Sequence, residues 1–230
     1  MKSLRNAIVA VALVVLAVLA ALVAPSFVGA AGTTVNARAQ AAKVAYAPAP
    51  GGVYNIDPAH SLIGFAVRHL EINWVEGRFK DYTGTIRFDD RDVTKSAVEF
   101  TAKIASIDTE VEARDKHLRS ADFFDAEKHP EMTFRSTRVE RKGGDGYVLH
   151  GDLTIRGATK PVAIPFTMTG AVKDPWGNTR FGVEGRTKIN RRDFQINYGN
   201  AFAGGLDVGN EVTIELRLEA VLPAPKTAAS

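Results

Sequence analysis

The densest group of chemically capable side chains lies in one short stretch, RDKHLRSADFFD at residues 114–125. The acidic and imidazole groups in and beside this stretch are Asp115, His117, Asp122, Asp125 and His129. Carboxylates and imidazoles bind catalytic metal ions and transfer protons, so the cluster is the first candidate for an active site. Asp115 and His117 are only two positions apart, however, and on a helix such residues point to different faces.

Other sequence signatures of catalysis are missing. The chain contains no histidine pair at i, i+4 spacing, no G-x-S-x-G nucleophile elbow and no Walker phosphate loop. It has no cysteine, which excludes thiol chemistry, cysteine-ligated metals and disulfide bonds. We therefore predict a protein that is not an enzyme, with no catalytic residue, no metal site and no cofactor. The charged cluster is interpreted as the polar face of a helix.

Most of the sequence that must position these groups alternates apolar and polar side chains with a period of two, as β-strands do. The last such segment, EVTIELRLEAV, places four aliphatic residues on one face: Val212, Ile214, Leu216 and Leu218. Strands with one dry and one wet face belong to antiparallel sheets, and about eight of them suggest a sandwich or a closed barrel. Glycines inside several strands favour the curved barrel. The predicted fold is all-β, mainly antiparallel, with one short helical insertion.

The helical insertion contains the charged cluster, and it is too long for an ordinary hairpin loop. Asp108 or Thr109 is the predicted N-cap, because short polar side chains satisfy the first free N–H groups of a helix. We predict that Asp115 pairs with Arg119 at i, i+4 spacing. Asp122 is predicted to cap the turn that follows.

Both ends of the chain are predicted to lie outside the barrel. Residues 1–30 combine a basic start, an uncharged apolar run and a small-residue cleavage site, which is the order of a secretory signal. The apolar run is also nearly long enough to cross a membrane, so an uncleaved N-terminal anchor is the alternative. Residues 31–52 are predicted to be a flexible linker rich in Ala, Pro and Gly, residues 53–222 the barrel, and residues 223–230 a disordered tail.

Export would place the barrel in the periplasm or outside the cell, with membrane contact only through an uncleaved N-terminal segment. The formal net charge of the chain is +3, and two of its positive charges, Lys2 and Arg5, lie within residues 1–30. The remaining charge is too small and too dispersed to predict a nucleic-acid partner.

Aromatic side chains recur along the predicted dry faces, where they would either fill a core or line a tunnel for an apolar chain. The predicted apolar lining consists of Phe65, Val67, Phe88, Phe100, Ile104, Phe123, Phe124, Met132, Phe134, Phe166, Met168 and Phe181. Phe123 and Phe124 are expected to turn inward and plug or line one end of the tunnel. His69 falls on the dry face of its strand, and His69 and Arg114 are the polar candidates for contact with a ligand's head group.

Five blocks of the sequence, in this order, resemble one known family. They are HSLIGFAVRHL, SIDTEVEARDKHLRSADFFDAEKHPEMTF, GDLTIRGATKPV, INRRDF and VGNEVTIELRLEA. Together they are similar to the YceI-like lipid/polyisoprenoid-binding family over nearly all of residues 53–221. One departure is Gln195, at a position where relatives usually have glycine.

The resemblance implies an extended, eight-stranded, lipocalin-like β-barrel that is exported and has no general catalytic activity. It also implies an apolar tunnel for an isoprenoid, an isoprenoid quinone or a fatty amide. We therefore expect a protein that sequesters or carries such a lipid. A homodimer is an alternative to a monomer. Two rival interpretations are an envelope stress or interaction barrel with a filled core, and a hydrolase that acts on a lipid head group through the cluster of Asp115, His117 and Asp122.

Overall fold

The structure is a computed structural model that describes residues 46–202 and 205–224. The predicted secretory signal, most of the predicted linker and the end of the predicted tail lie outside the described residues. Among the residues described, no helix combines the length and the hydropathy needed to cross a membrane. The predicted linker is described from Tyr46 onward, and there Ala47 pairs with Ala171 through two backbone hydrogen bonds.

The described residues form antiparallel strands and one α-helix. The strands are β1 (Gly52–Ile56), β2 (Leu62–His69), β3 (Asn73–Phe79), β4 (Tyr82–Phe88), β5 (Ala97–Lys103), β6 (Ile107–Asp108), β7 (Glu131–Gly143), β8 (Gly146–Ile155), β9 (Ala158–Met168), β10 (Val172–Lys173), β11 (Thr179–Asn190), β12 (Ala201–Phe202), β13 (Gly205–Leu206) and β14 (Val208–Leu222). The helix, α1, is Glu112–Arg119.

The main sheet closes on itself as an eight-stranded barrel, because β14 pairs with β11 on one side and with β1 and β2 on the other. Four of the eight barrel strands are interrupted and consist of two pieces each: β1 with β2, β3 with β4, β5 with β6, and β9 with β10. The uninterrupted strands are β7, β8, β11 and β14. Each barrel strand is antiparallel to its sequence neighbour, so the predicted extended antiparallel barrel is confirmed.

This up-and-down order defines the two ends of the barrel. The helical end carries the β2–β3 turn, the insertion with α1, the β8–β9 turn and the segment between β11 and β14. The opposite end carries the β4–β5 connection, the β7–β8 hairpin, the β10–β11 hairpin and the start of β1. Alternate residues of every strand point inward, so the apolar core lies inside the barrel.

Helix α1 begins differently from the sequence prediction. Its N-cap is Val111, whose side chain makes no capping bond, so the predicted cap at Asp108 or Thr109 is wrong. The buried carboxylate of Asp115 instead accepts hydrogen bonds from the backbone N–H and the hydroxyl of Thr109, at 2.9 and 2.5 Å. Asp115 of the helix therefore anchors the segment that follows β6, and that segment does not cap the helix.

The other two predicted contacts of the insertion are also wrong. Asp115 is occupied by Thr109, and the Arg119 guanidinium reaches the carbonyl oxygens of Ala105 and Ile107 at 3.5 Å instead of pairing with Asp115. The Asp122 carboxylate contacts the imidazole of His117 at 2.9 Å, and so it caps no turn. Spacing along the helix identified possible partners, but the side chains contact other residues in the folded insertion.

Candidate ligand-binding site

The inward faces of the barrel strands enclose an apolar cavity of about 130 Å³, here called chamber A, which lies toward the opposite end. Seven predicted lining residues border it, namely Phe88, Phe100, Met132, Phe134, Phe166, Met168 and Phe181. Aliphatic residues from β1, β2, β4, β5, β7, β8, β9, β11 and β14 complete the wall. No charged side chain of the described residues lines chamber A.

Two hydroxyl groups on the chamber A wall are already hydrogen-bonded within the protein. Ser96 accepts a bond from the backbone N–H of Asp89 at 3.0 Å, and Thr187 donates to the carbonyl of Ala163 at 2.8 Å. The remaining lining atoms are carbon or the weakly polar sulfur of methionine. Chamber A can therefore solvate a hydrocarbon chain but offers little to a polar head group.

A second apolar cavity of about 120 Å³, chamber B, lies at the helical end. Its lining includes the predicted residues Phe65, Val67, Phe123, Phe124 and Met132. Phe123 is buried, and the ring of Phe124 packs edge-on against Phe79 with centroids 6.0 Å apart. The two phenylalanines of the insertion thus turn inward, as expected, and close this end of the barrel interior.

Three side chains line both chambers and separate them: Ile63, Met132 and Ile214. Met132 is the most adaptable of the three, because its unbranched side chain has several rotatable bonds. Ile104, in contrast, was predicted to line the tunnel but lines neither chamber. It is fully buried in the solid part of the core, because the strand breaks at Ile104–Ser106 into a short 3₁₀ turn.

Arg191, which sequence reasoning did not assign, is the charged residue on the wall of chamber B. Its guanidinium donates to the carbonyl oxygens of Gly209, Ile196 and Val208 at 2.8–2.9 Å. Burial, and then the charge of Arg192, lower the pKa of Arg191 from its ordinary value. Arg191 thereby attaches the segment after β11 to the start of β14. The sequence signal was its place in the INRRDF block.

The departure from the family pattern at Gln195 lies in the same segment. Gln195 adopts a left-handed backbone conformation with φ 62° and ψ 18°. Glycine reaches this conformation without steric cost, which agrees with the glycine that the family resemblance implies at this position. The conformation is held here by Arg156, whose guanidinium donates to the Gln195 carbonyl and to that of Ala121.

The two polar residues predicted to meet a ligand lie away from both chambers. His69 is exposed, not on a dry face as predicted, because β2 ends there in a turn in which Leu70 and Glu71 both have positive φ. Arg114 is directed to Thr109, donating to its hydroxyl at 2.8 Å and to its carbonyl at 2.7 Å. Arg114 therefore supports the turn before α1.

The charged cluster that first suggested an active site is held by local contacts. His117 packs edge-on against Phe123 and Tyr198, with ring centroids 5.0 and 4.8 Å away, while its Nε2 faces Asp122. Asp125 contacts the ammonium of Lys128 at 3.1 Å. The imidazole and both carboxylates lie outside the lining of the two chambers.

A second polar cluster lies at the break between β1 and β2. Ligand atoms of Asp57, His60 and Glu219 lie within 4.8 Å of one another, which is a spacing that a metal ion could use. The guanidinium of Arg180 already contacts both carboxylates and also Asp174. These hydrogen bonds raise the pKa of Arg180. Arg180 therefore supplies the positive charge that this acidic group requires.

Comparison with known proteins identifies the family. The model of the YceI-like domain matches residues 54–220. The chain belongs to the YceI-like family. A UPF0312 protein of Photorhabdus laumondii is 47% identical over 145 residues, covering 62% of this chain and 75% of the relative. Protein YceI of Escherichia coli O157:H7 is 43% identical over the same length and coverage.

Solved structures share the barrel. BcnA of Burkholderia cenocepacia superposes with a TM-score of 0.62 at 26% identity, covering 71% of this chain and 98% of that one. The YCEI protein of Campylobacter jejuni gives 0.58 at 31% identity, covering 68% and 90%. A polyisoprenoid-binding domain from Saccharophagus degradans gives 0.55 at 14% identity, covering 74% and 98%, which shows a shared fold alone.

Proposed function

We propose that this YceI-like protein is a non-catalytic binding protein that holds the hydrocarbon chain of an isoprenoid or similar amphiphilic lipid inside its barrel. The observation that carries the proposal is chamber A, whose lining is apolar and whose two hydroxyl groups are already hydrogen-bonded. The family membership and the polyisoprenoid-binding description of a protein with the same fold support the proposal.

Burial of apolar surface supplies the binding energy. Each buried CH2 group contributes about 0.8 kcal/mol, so one prenyl unit contributes on the order of 3 kcal/mol. A chain longer than chamber A would extend toward chamber B by displacing the Met132 side chain, which lines both. Quinones and fatty amides share the long apolar chain and belong to the same proposed ligand class.

Export of the protein is part of the proposal. Residues 1–30 would direct the chain across the inner membrane, and residues 31–52 would separate the barrel from that segment, whether or not it is cleaved. A lipid carrier in the periplasm, or outside the cell, would need neither a cofactor nor an energy source, because transfer follows the affinities of donor and acceptor.

The test is to purify the protein from its native envelope, extract it with organic solvent and identify the extract by mass spectrometry. We expect an isoprenoid or acyl compound close to one equivalent per chain. Val98→Trp, which fills chamber A, should remove it, whereas Glu99→Trp, on the exposed face of the same strand, should retain it. An empty extract, together with no binding of added prenyl lipids, would refute the proposal and favour a filled-core barrel.

A further inference from the structure

The barrel wall has a weakly paired joint between β9 and β11. Backbone pairing there covers Val183–Gly185 against Phe166–Met168 and then stops. Both strands continue beyond that point, with residues 186–190 of β11 running beside residues 161–165 of β9. We call this unpaired part the seam. On their other sides, β11 is paired along its whole length with β14, and β9 is paired with β8 from Ala158 to Thr167.

Two prolines explain why the seam is unpaired. β9 contains Pro161 and Pro165, and proline has no N–H to donate to a neighbouring strand. The pairing between β8 and β9 continues through both prolines without a break. The two N–H groups that proline lacks would therefore have pointed toward β11. Across the seam, the hydroxyl of Thr187 donates to the carbonyl of Ala163 at 2.8 Å. This bond joins the two strands in place of regular backbone pairing.

The seam lies between chamber A and the outer surface. Gly185 and Phe166, where pairing ends, line chamber A and also a groove on the outside of the barrel, and Thr187 lines chamber A and an adjoining groove. Leu216 lines the first groove as well as chamber A, because Gly185 has no side chain to cover it. A small separation of the strands at the seam would therefore connect the apolar interior to solvent.

Both ends of the barrel, in contrast, are packed. Phe123, Phe124 and the Arg191 hydrogen bonds close the helical end. At the opposite end Tyr54 is fully buried and packs against Phe181 and Phe88, with ring centroids 4.6 and 6.2 Å away. Opening either end would break an aromatic core cluster, whereas opening the seam breaks the hydrogen bond from Thr187 and the aliphatic packing between β9 and β11.

The outer grooves carry charged side chains, which chamber A lacks. Their carboxylates are Glu140, Glu184 and Glu215, of which Glu140 is paired with Arg138 and Glu215 with Arg217. Lys142 and Arg186 line both grooves, and neither forms a salt bridge with another of the described residues. A lysine and an arginine in such a position attract a phosphate or other anionic group. Chamber A therefore lies on the inner side of the seam, and the two cations, which form no salt bridge with other described residues, lie on its outer side.

We propose that the lipid enters and leaves sideways through the seam, and that an anionic phosphate head group stays outside the barrel against Lys142 and Arg186. This inference rests on the proposed function, since it names the entry route and the head-group class of the same ligand.

The route is tested by measuring how fast the delipidated protein takes up a fluorescent polyprenyl phosphate from vesicles. Thr187→Val removes the hydrogen bond across the seam at nearly constant volume, so uptake and release should be about 2- to 10-fold faster. Thr187→Ser keeps the hydroxyl, so its exchange rate should lie closer to the parental rate than that of Thr187→Val does. Pro161→Val with Pro165→Val restores two donors and should slow exchange, whereas Pro175→Val, in an exposed turn, should not.

The head-group site is tested by equilibrium binding of polyprenyl phosphate, the corresponding prenyl alcohol and inorganic phosphate. Lys142→Gln and Arg186→Gln should each weaken polyprenyl phosphate about 2- to 5-fold and leave the alcohol unchanged. Lys173→Gln, an exposed control, should affect neither lipid. Inorganic phosphate alone should bind far more weakly than the lipid, because it lacks the buried chain.

The outcomes separate the two proposals. If the parent protein binds no prenyl lipid, the proposed function fails and this inference fails with it. If the parent binds but the Thr187 and proline variants exchange lipid at the parental rate, the ligand uses another route and the seam proposal is wrong. If the glutamine variants weaken the alcohol as much as the phosphate, the head group does not rest on these two cations.

Discussion

Replacing Met132 with alanine should cost the delipidated protein much less stability than replacing Ile104 with alanine. Both substitutions remove the same number of heavy atoms from a buried side chain. Met132 already borders an empty volume on two sides, whereas Ile104 lies in the solid core and lines neither chamber. The difference in unfolding free energy between the two variants therefore tests whether the two chambers are empty.

The magnitudes follow from the two contributions to a large-to-small substitution. Loss of the transferred groups costs about 2 kcal/mol in either case, at about 0.8 kcal/mol per methylene equivalent. Ile104→Ala also creates a new cavity, which brings its total to about 4 kcal/mol. Met132→Ala enlarges cavities that exist already and forfeits fewer packing contacts, so its total should stay near 2 kcal/mol.

The assay is urea unfolding of the delipidated parent and of both variants, followed by fluorescence, with and without a long prenyl lipid. Added lipid should restore a larger part of the lost unfolding free energy in Met132→Ala. That substitution joins the two chambers, so that the hydrocarbon chain of the lipid can occupy both. Equal losses of stability in the two variants, with no difference in recovery by lipid, would refute the two-chamber description.

Three further outcomes are expected. Asp115→Ala should cost about 2 kcal/mol in unfolding free energy, because the N–H and hydroxyl of Thr109 lose their buried acceptor, and Asp115→Asn should recover part of it. Gly151→Ala should lower the melting temperature, corresponding to about 1–3 kcal/mol, since its Cβ would lie 2.5 Å from a backbone carbonyl oxygen. Burial raises the pKa of Asp174, but hydrogen bonds from Arg180 and neighbouring amides outweigh it and bring that pKa to about 2. The stabilisation is therefore complete above about pH 4 and is lost as the pH falls through about 2. Asp174→Asn should be less stable than the parent at neutral pH, and the difference should shrink as the pH falls through that range.

The sequence by itself determined the fold class and the contents of the barrel. Period-two alternation predicts antiparallel strands because successive side chains point to opposite faces of a sheet. The same pattern identified the inward side chains, and nearly all of the predicted apolar residues line a chamber in the structure. The family blocks added the order of the strands and the closure of the barrel, which alternation alone cannot choose over a sandwich.

Tertiary structure decided the polar contacts and the shape of the interior. His69 continues the alternation in sequence but lies at an exposed strand end. The carboxylate of Asp115 is hydrogen-bonded to Thr109 and not to Arg119, one turn away. The division into two chambers depends on side chains from distant strands, and the seam requires knowing that β9 and β11 are neighbours. Periodicity describes one strand at a time, whereas cavities, hydrogen-bond partners and gaps in a sheet are properties of pairs of strands brought together by the fold.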